Sequence, residues 1–403
     1  MKVLAILYWI SVYALVHSYL IYPLYRWYRS RKIDSLKSTD SQVSSSNQRN
    51  SRISVILSAF NEEACILDKL DNLFELDYPS DRISFYIGSD GSFDKTNELV
   101  SQYPALENSN WHFYQFEERR GKPAVLNELV SNALNKHGCK KDHLLLITDA
   151  SVLLNPDAVM KLERNFDDDA VGLVDSFISN TNKELKGIGF QETEYISLEA
   201  KLKHWESKDG GYMIGPFGGC YLLRSNYFKP VPENYLVDDF YIAMEVFKAG
   251  GLCKNDLEAI CKESNSSDIF EEFKRKSRIA AGNYQNFVTF RDLLWPPLNK
   301  LTFNYFSHKV LRWFGPFFIL LSLLFSLTLG AFGNLFYFTL FLFSIGLMII
   351  IPLVDYYLEG LGLNNKYFRF TRYFVVVNIA FLKGFVRFLN GIKSGAWDPP
   401  KRK

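Results

Sequence analysis

The sequence predicts an α/β domain, with a mostly parallel sheet and helices on both faces, flanked by transmembrane α-helices. Two observations carry this. Between Ile53 and Thr148, apolar runs of strand length alternate with segments of helical spacing, the rhythm of a sheet built through crossover helices. Toward both ends the chain instead has long stretches free of Asp, Glu, Lys and Arg. Composition bounds the rest. The 403 residues give room for more than one domain. With 48% hydrophobic and 22% charged residues, wholesale disorder is excluded. A net charge of +2 gives no support for a nucleic-acid binder relying on bulk charge. Five scattered cysteines (Cys65, Cys139, Cys220, Cys253, Cys261) include no C-x-x-C pair. They argue against a disulfide scaffold or a cysteine zinc site, and for a reducing compartment.

Val3 to Leu24 is the first uncharged stretch, and a membrane span needs about 20 such residues. It is too long for the apolar core of a signal peptide. Arg26, Arg29, Arg31 and Lys32 follow it, while Lys2 precedes it, so the positive-inside rule puts the C-terminal flank in the cytoplasm. Residues 1–24 are expected as a transmembrane helix and 25–50 as a basic, then polar linker. Trp313 to Val354 is uncharged too, with a turn signal at Gly333-Asn334. Spans are expected at 313–332 and 335–354. Lys309 and Arg312 before them, and Lys366, Arg369 and Arg372 after them, favour a hairpin with both ends cytoplasmic. Residues 373–388 read as an interfacial helix or a third span, followed by a basic tail from Lys393 to Lys403. A third span would carry that tail outside, against the rule. The expected localisation is the plasma membrane, multi-pass.

The soluble domain is expected at 51–300, with the rest of the chain, 301–403, as a membrane region. Strands are expected at 53–60, 83–87, 111–116 and 143–148, and helices at 62–74, 94–100 and 124–136. Sheets of this kind bind ligands beyond the C-terminal ends of their strands. Polar clusters stand at those ends: Asn61-Glu62-Glu63, Ser89-Asp90-Gly91-Ser92-Phe93-Asp94, and Asp149-Ala150-Ser151. Each alone has a plainer reading. Asn61 could cap the next helix, and Asp90 to Ser92 could be an ordinary turn. Three acidic strand ends on one rim suggest a sugar, a base edge or a divalent cation. Arg119-Arg120-Gly121-Lys122 is either a solvated charge run or a phosphate site, with Lys122 as the point charge. No strand is followed by G-x-x-x-x-G-K-[ST] or G-x-G-x-x-G, which disfavours P-loop NTPases and typical dinucleotide enzymes. Phe217-Gly218-Gly219 would let a substrate lie against backbone, or form a turn. Asp238-Asp239 opens a helix, as caps or as a rigidly held base.

In this order the motifs resemble those of the family 2 glycosyltransferases, in particular their membrane-anchored bacterial members. Ser58 to Glu63 matches the A/P-x-N-E-E strand end. Ser89 to Asp94 matches D-D-G-S-x-D, Gly121 to Asn127 matches G-K-x-x-A/V-L-N, and Asp149-Ala150-Ser151 matches D-x-D. Phe217 to Gly219 and Asp238-Asp239 match the acceptor segment and the acidic helix start. The resemblance runs over about residues 51–290. It implies a GT-A fold, Rossmann-like, and inverting transfer of a sugar from a nucleotide-diphosphosugar to a glycan or lipid-linked acceptor in envelope or extracellular polysaccharide synthesis. It further implies Phe60, Glu62, Asp90, Lys122 and Asp149 on the donor, and Phe217, Gly218, Gly219 and Asp238 on the acceptor side. Asp239 would be the catalytic base, and Asp149 with Ser151 would hold Mg²⁺ or Mn²⁺. Partners would be the donor, the acceptor and membrane lipids, and no nucleic acid.

Three departures qualify the match. Ser89 replaces the first acid of the second motif, and Ser151 the metal-binding second Asp. The Q-x-x-R-W of processive synthases is missing; Arg275, Lys276 and Arg278 are followed by Ile279. Those three cations would meet either diphosphate or lipid headgroups. The missing motif and the small number of spans favour single-sugar transfer. A catalytically silent nucleotide-sugar-binding scaffold and a processive synthase are the alternatives.

Overall fold

The computed structural model describes residues 1–37, 51–180, 188–263, 269–363 and 365–396. It divides into two units. The first comprises Arg29–Lys183, Ser197–Asn265 and Ile392–Lys403; the second comprises Met1–Tyr28, Glu184–Ile196 and Ser266–Gly391.

Among the described residues, the first unit is built on eight strands: β1 (Arg52–Ala59), β2 (Ile83–Asp90), β3 (Trp111–Phe116), β4 (His143–Asp149), β5 (Val152–Leu154), β6 (Val171–Asn180), β7 (Cys220–Arg224) and β8 (Leu252–Glu263). Their order is β3-β2-β1-β4-β7-β6-β8-β5. Strands β1 to β4 pair in parallel, as the alternating pattern requires. Strand β7 enters antiparallel between β4 and β6, and β6 pairs parallel with β8. Central strands read as unbroken apolar runs because both faces are covered; β2 is buried along its whole length. Ile66, Leu70 and Leu73 of the helix Ile66–Phe74 pack into the same core as Val55, Leu57 and Leu146. Gly88 in β2 lies against the helix Lys122–His137, where a Cβ would come 2.7 Å from Val125.

Among the described residues, two helices are long and apolar enough to span a membrane, Lys2–Leu36 and Leu335–Gly360. A third candidate is the pair Lys300–Trp313 and Gly315–Ala331, bent by 63°. The span expected at 313–332 is thus the second limb of a broken helix. The first helical path does not stop at Leu24 but runs on through Tyr22–Lys37. Within it, Arg26 is buried, donating to the Tyr22 hydroxyl and the Asn304 side chain. The linker's remaining residues, 38–50, lie outside the described residues, as do 397–403 of the basic tail. The segment expected at 373–388 belongs to one helix, Lys366–Leu389, capped by Asn365. Asp355, fully buried, pairs with Arg369 (3.3 Å) and Arg372 (3.1 Å).

Candidate active site

Register places the acidic strand ends side by side. Ala59 of β1 faces Ser89 of β2, and Ser58 faces Asp149 of β4. The first two motifs interlock beyond that edge. Asn61 takes a positive φ of 52°. Its amide donates to Ser92 Oγ (3.1 Å) and its carbonyl oxygen Oδ1 accepts from the Phe93 amide (3.1 Å). The Glu63 amide donates to Asp94, and the Lys95 amide to Glu63. Asn61 is therefore a loop clasp and not the cap of the next helix, which opens at Cys65 with no side-chain cap. Ser89, in place of an acid, is buried and donates to Ser92 Oγ (2.8 Å). Glu62 accepts from the Cys65 thiol (3.2 Å). The Phe60 ring lies 3.8 Å under the Arg119 guanidinium and edge-on to the exposed Phe93 ring.

Asp90 is nearly sealed from solvent. Its two oxygens accept from the backbone N–H groups of Arg120 (2.7 Å) and Gly121 (2.8 Å). A short acidic side chain thereby fixes the loop that opens the helix Lys122–His137. Gly121 adopts φ 93°, which a side chain would resist. Lys122 then reaches Asp149 (2.7 Å) and Asp238 (3.5 Å). Burial alone would lower its pKa; Asp149, Asp238 and Asp239 outweigh that and raise it, so it stays charged.

Asp238 and Asp239 open the helix Asp238–Lys248. Asp239 accepts from the Phe240 amide (2.8 Å). Burial, then the neighbouring Asp238 charge, push its carboxyl up to about 7, against the pull of Lys122. A base with that value is half-deprotonated at neutral pH, near the optimum for proton transfer. A Cβ on Gly218 (φ 92°) would overlap the Asp239 carboxylate, which would have to move to admit it.

Several residues here carry no sequence signal. Asp175 on β6 is fully buried and pairs with Lys203 (2.7 Å). It accepts from the Phe217 amide at both oxygens (3.1 Å each). This pair holds the glycine segment in place from beneath. Lys203→Met is expected to destabilise the chain by about 3–5 kcal/mol, because it strands a buried charge. The double variant Asp175→Asn with Lys203→Met should recover part of that loss in thermal unfolding of the detergent-solubilised protein. Tyr221 of β7 is buried with its hydroxyl unpartnered. Burial and the carboxylates of Asp238, Asp239, Asp149 and Asp175 hold its pKa well above the ordinary range. Asp175 and Lys203 are remote from each other in sequence, and Tyr221 is remote from the carboxylates around it, so no local pattern flags them.

Among the described residues no group of three His, Cys, Asp or Glu side chains could hold a metal. Asp149 and Ser151 offer a carboxylate and a hydroxyl, and Ser151 donates to Glu263 (3.4 Å). A cation here would need the donor's diphosphate and water for most of its ligands. Arg275 and Lys276 lie on the helix Ile269–Thr289 of the other unit, paired with Glu272 at 2.9 and 3.2 Å. Arg278 is on that same helix.

Known proteins match this arrangement. The family described as glycosyl transferase family 2 matches residues 54–225, which hold every motif up to β7 but not Asp238-Asp239. Poly-beta-1,6-N-acetyl-D-glucosamine synthase of Staphylococcus epidermidis (strain RP62A) is 26% identical over 261 residues, 64% of this chain and 60% of that protein. The synthase of the same name from Staphylococcus aureus (strain COL) is 26% identical over 245 residues, 60% of this chain and 56% of that protein. The chain thus spans under two thirds of the length of the curated relatives it matches. The mannosyltransferase PcManGT from Pyrobaculum calidifontis, solved with GDP-Man and Mn²⁺, superposes with a TM-score of 0.67 at 18% identity, covering 95% of this chain and 99% of that one. At that identity the likeness speaks for the fold. The chain is a family 2 glycosyltransferase-like protein with a GT-A-type fold and flanking apolar helices of the kind that anchor proteins in membranes.

Proposed function

We propose that the protein transfers a sugar from a nucleotide-diphosphosugar to an acceptor hydroxyl in polysaccharide biosynthesis at a membrane. The observation that carries this is the cluster of Lys122, Asp149, Asp238 and Asp239 at the C-terminal rim of the sheet. Phe60 and Arg119 form a stacking face suited to a nucleobase, with Glu62 beside it for the nucleoside. Asp90 serves the donor by holding the Lys122 loop. The Lys122 ammonium, screened among carboxylates at rest, meets the diphosphate as negative charge develops on it. Mg²⁺ or Mn²⁺ held by Asp149, Ser151 and the diphosphate would neutralise the leaving group further.

Asp239 takes the proton of the acceptor hydroxyl as its oxygen attacks the anomeric carbon. The bond from that carbon to the diphosphate oxygen breaks on the opposite side, and the nucleoside diphosphate leaves with the electron pair. One base and no enzyme nucleophile gives inversion. Gly218, Gly219 and Phe217 line the acceptor side, with Asp238 setting the charge around Asp239. The cytoplasmic face is the natural location, because Arg29, Arg31 and Lys32 follow the first apolar stretch.

The names of the matched relatives favour a synthase that forms an N-acetylglucosamine polymer over single-sugar transfer. One observation keeps the single-transfer reading: Ile279 stands after Arg278 where processive members have Trp. The full chain in nanodiscs, given UDP-GlcNAc or GDP-mannose with Mg²⁺ or Mn²⁺, is expected to consume UDP-GlcNAc and yield a ladder of products on a sizing gel. A single added sugar would establish the short-product reading. Donor binding without turnover would overturn the enzymatic one in favour of a scaffold.

A further inference from the structure

The C-terminal residues Ile392–Ala396 follow the helix Lys366–Leu389 but belong to the catalytic unit. The Gly395 amide donates to the Glu233 carbonyl (3.0 Å), and the Asn234 side-chain amide donates to the Ile392 carbonyl (3.1 Å). Gly395 is buried. A Cβ on it would sit 2.6 Å from the Glu233 oxygen, 2.7 Å from the Tyr235 oxygen and 3.2 Å from Pro123 Cδ. On the other side, a Cβ on Gly121 would sit 2.9 Å from the Ala396 nitrogen. Two glycines thus allow backbone to cross backbone at van der Waals distance. The tail passes between two segments, one opening the helix with Lys122, the other leading into Asp238 and Asp239. The Lys122–Asp238 ion pair spans the same two segments.

We propose that residues 392–396 act as a tie that positions Lys122 against Asp149 and Asp238, and so complete the donor site. Asp90 holds Arg120 and Gly121 from one side; the tail closes the loop from the other. Ordering such a tail costs backbone entropy at every residue, which a few exposed hydrogen bonds offset only in part. The tie is therefore weakly held. A donor that prefers the tied loop strengthens docking, and docking strengthens donor binding by the same factor. This rests on the reading that Lys122 meets the donor's diphosphate.

The test uses the full chain in nanodiscs, with three variants: Gly395→Val, a stop after Lys393, and the triple variant Lys401→Ala, Arg402→Ala, Lys403→Ala as a control for the charge that the stop removes. Hydrogen exchange of the 119–126 backbone reads docking whatever the donor is. KM for UDP-GlcNAc reads the consequence. The first two variants are expected to speed exchange at 119–126 and raise KM about tenfold, with kcat changed less, while the triple charge variant behaves as wild type. UDP-GlcNAc should slow exchange in 392–396 of the wild type. Should Gly395→Val fail to fold, the truncation decides, since it adds no bulk. Unchanged exchange and KM in the truncation would overturn the proposal. So would a raised KM in the truncation with none in a folded Gly395→Val, because residues beyond the tie would then be responsible. Absence of wild-type turnover with UDP-GlcNAc would count against the functional reading, and the exchange result would still judge the tie.

Discussion

Asp239→Asn is expected to lower transfer about 10³-fold while donor KM stays close to that of the wild type, since a general base acts in the transition state. The same variant should be more stable at alkaline pH. An Asp carboxyl ordinarily sits at 3.8; burial and Asp238 push Asp239 up to about 7. Below pH 3.8 folded and unfolded chains both hold the proton. Between 3.8 and about 7 the folded chain keeps a proton that the unfolded chain has released, so stability falls as pH rises through that window and is level above it. Removing the carboxylate removes the penalty. Asp239→Asn should gain on the order of 2 kcal/mol at pH 8, read as a higher melting temperature. In the wild type, kcat/KM should climb with pH and level off above about 7, as the base loses its proton. An Asp239→Asn variant that keeps a tenth or more of the activity would remove it from the base's role. An active-site variant both inactive and stabilised is hard to obtain from a merely structural residue.

Gly218→Ala should cost about 10²-fold in kcat, the usual scale for displacing a catalytic group by an ångström. Two effects combine there. A side chain is strained at φ 92°, and its Cβ overlaps the Asp239 carboxylate. Gly250→Ala separates them. Gly250 has a comparable φ of 79° but open space where the Cβ would go, so it carries the backbone strain of about 1–2 kcal/mol without the overlap. Gly250→Ala should melt earlier yet keep its kcat. Gly218→Ala should in addition move the pH midpoint, because the carboxylate leaves its buried setting. Equal kcat in the two variants would show that the contact between Gly218 and Asp239 has no catalytic consequence.

Much of the α/β rhythm was legible because it is local. Strand 111–116 is set by short-range apolar spacing and lies where the pattern puts it, while the helix expected at 124–136 runs Lys122–His137, opening two residues earlier after the positive-φ Gly121. The boundary of the first helix was not legible. Arg26 looks like the start of a soluble flank, yet it is buried with Tyr22 and Asn304, so charge did not mark the end of the element. Asn61 likewise has a cap's residue type, but its partners come from the second motif.

The sequence by itself determined the kinds of chemistry available: carboxylates at strand ends, a lysine after a glycine, apolar stretches of membrane length. Those are properties of residues and their near neighbours. Tertiary structure alone decided that Lys122 lies between Asp149 and Asp238, that Asp175 and Lys203 brace the glycine segment, and that residues 392–396 return to the Gly121 loop. Such pairings join positions far apart in the chain. Charge neutralisation and burial select them only once the sheet has brought those positions together, and no local pattern records that choice.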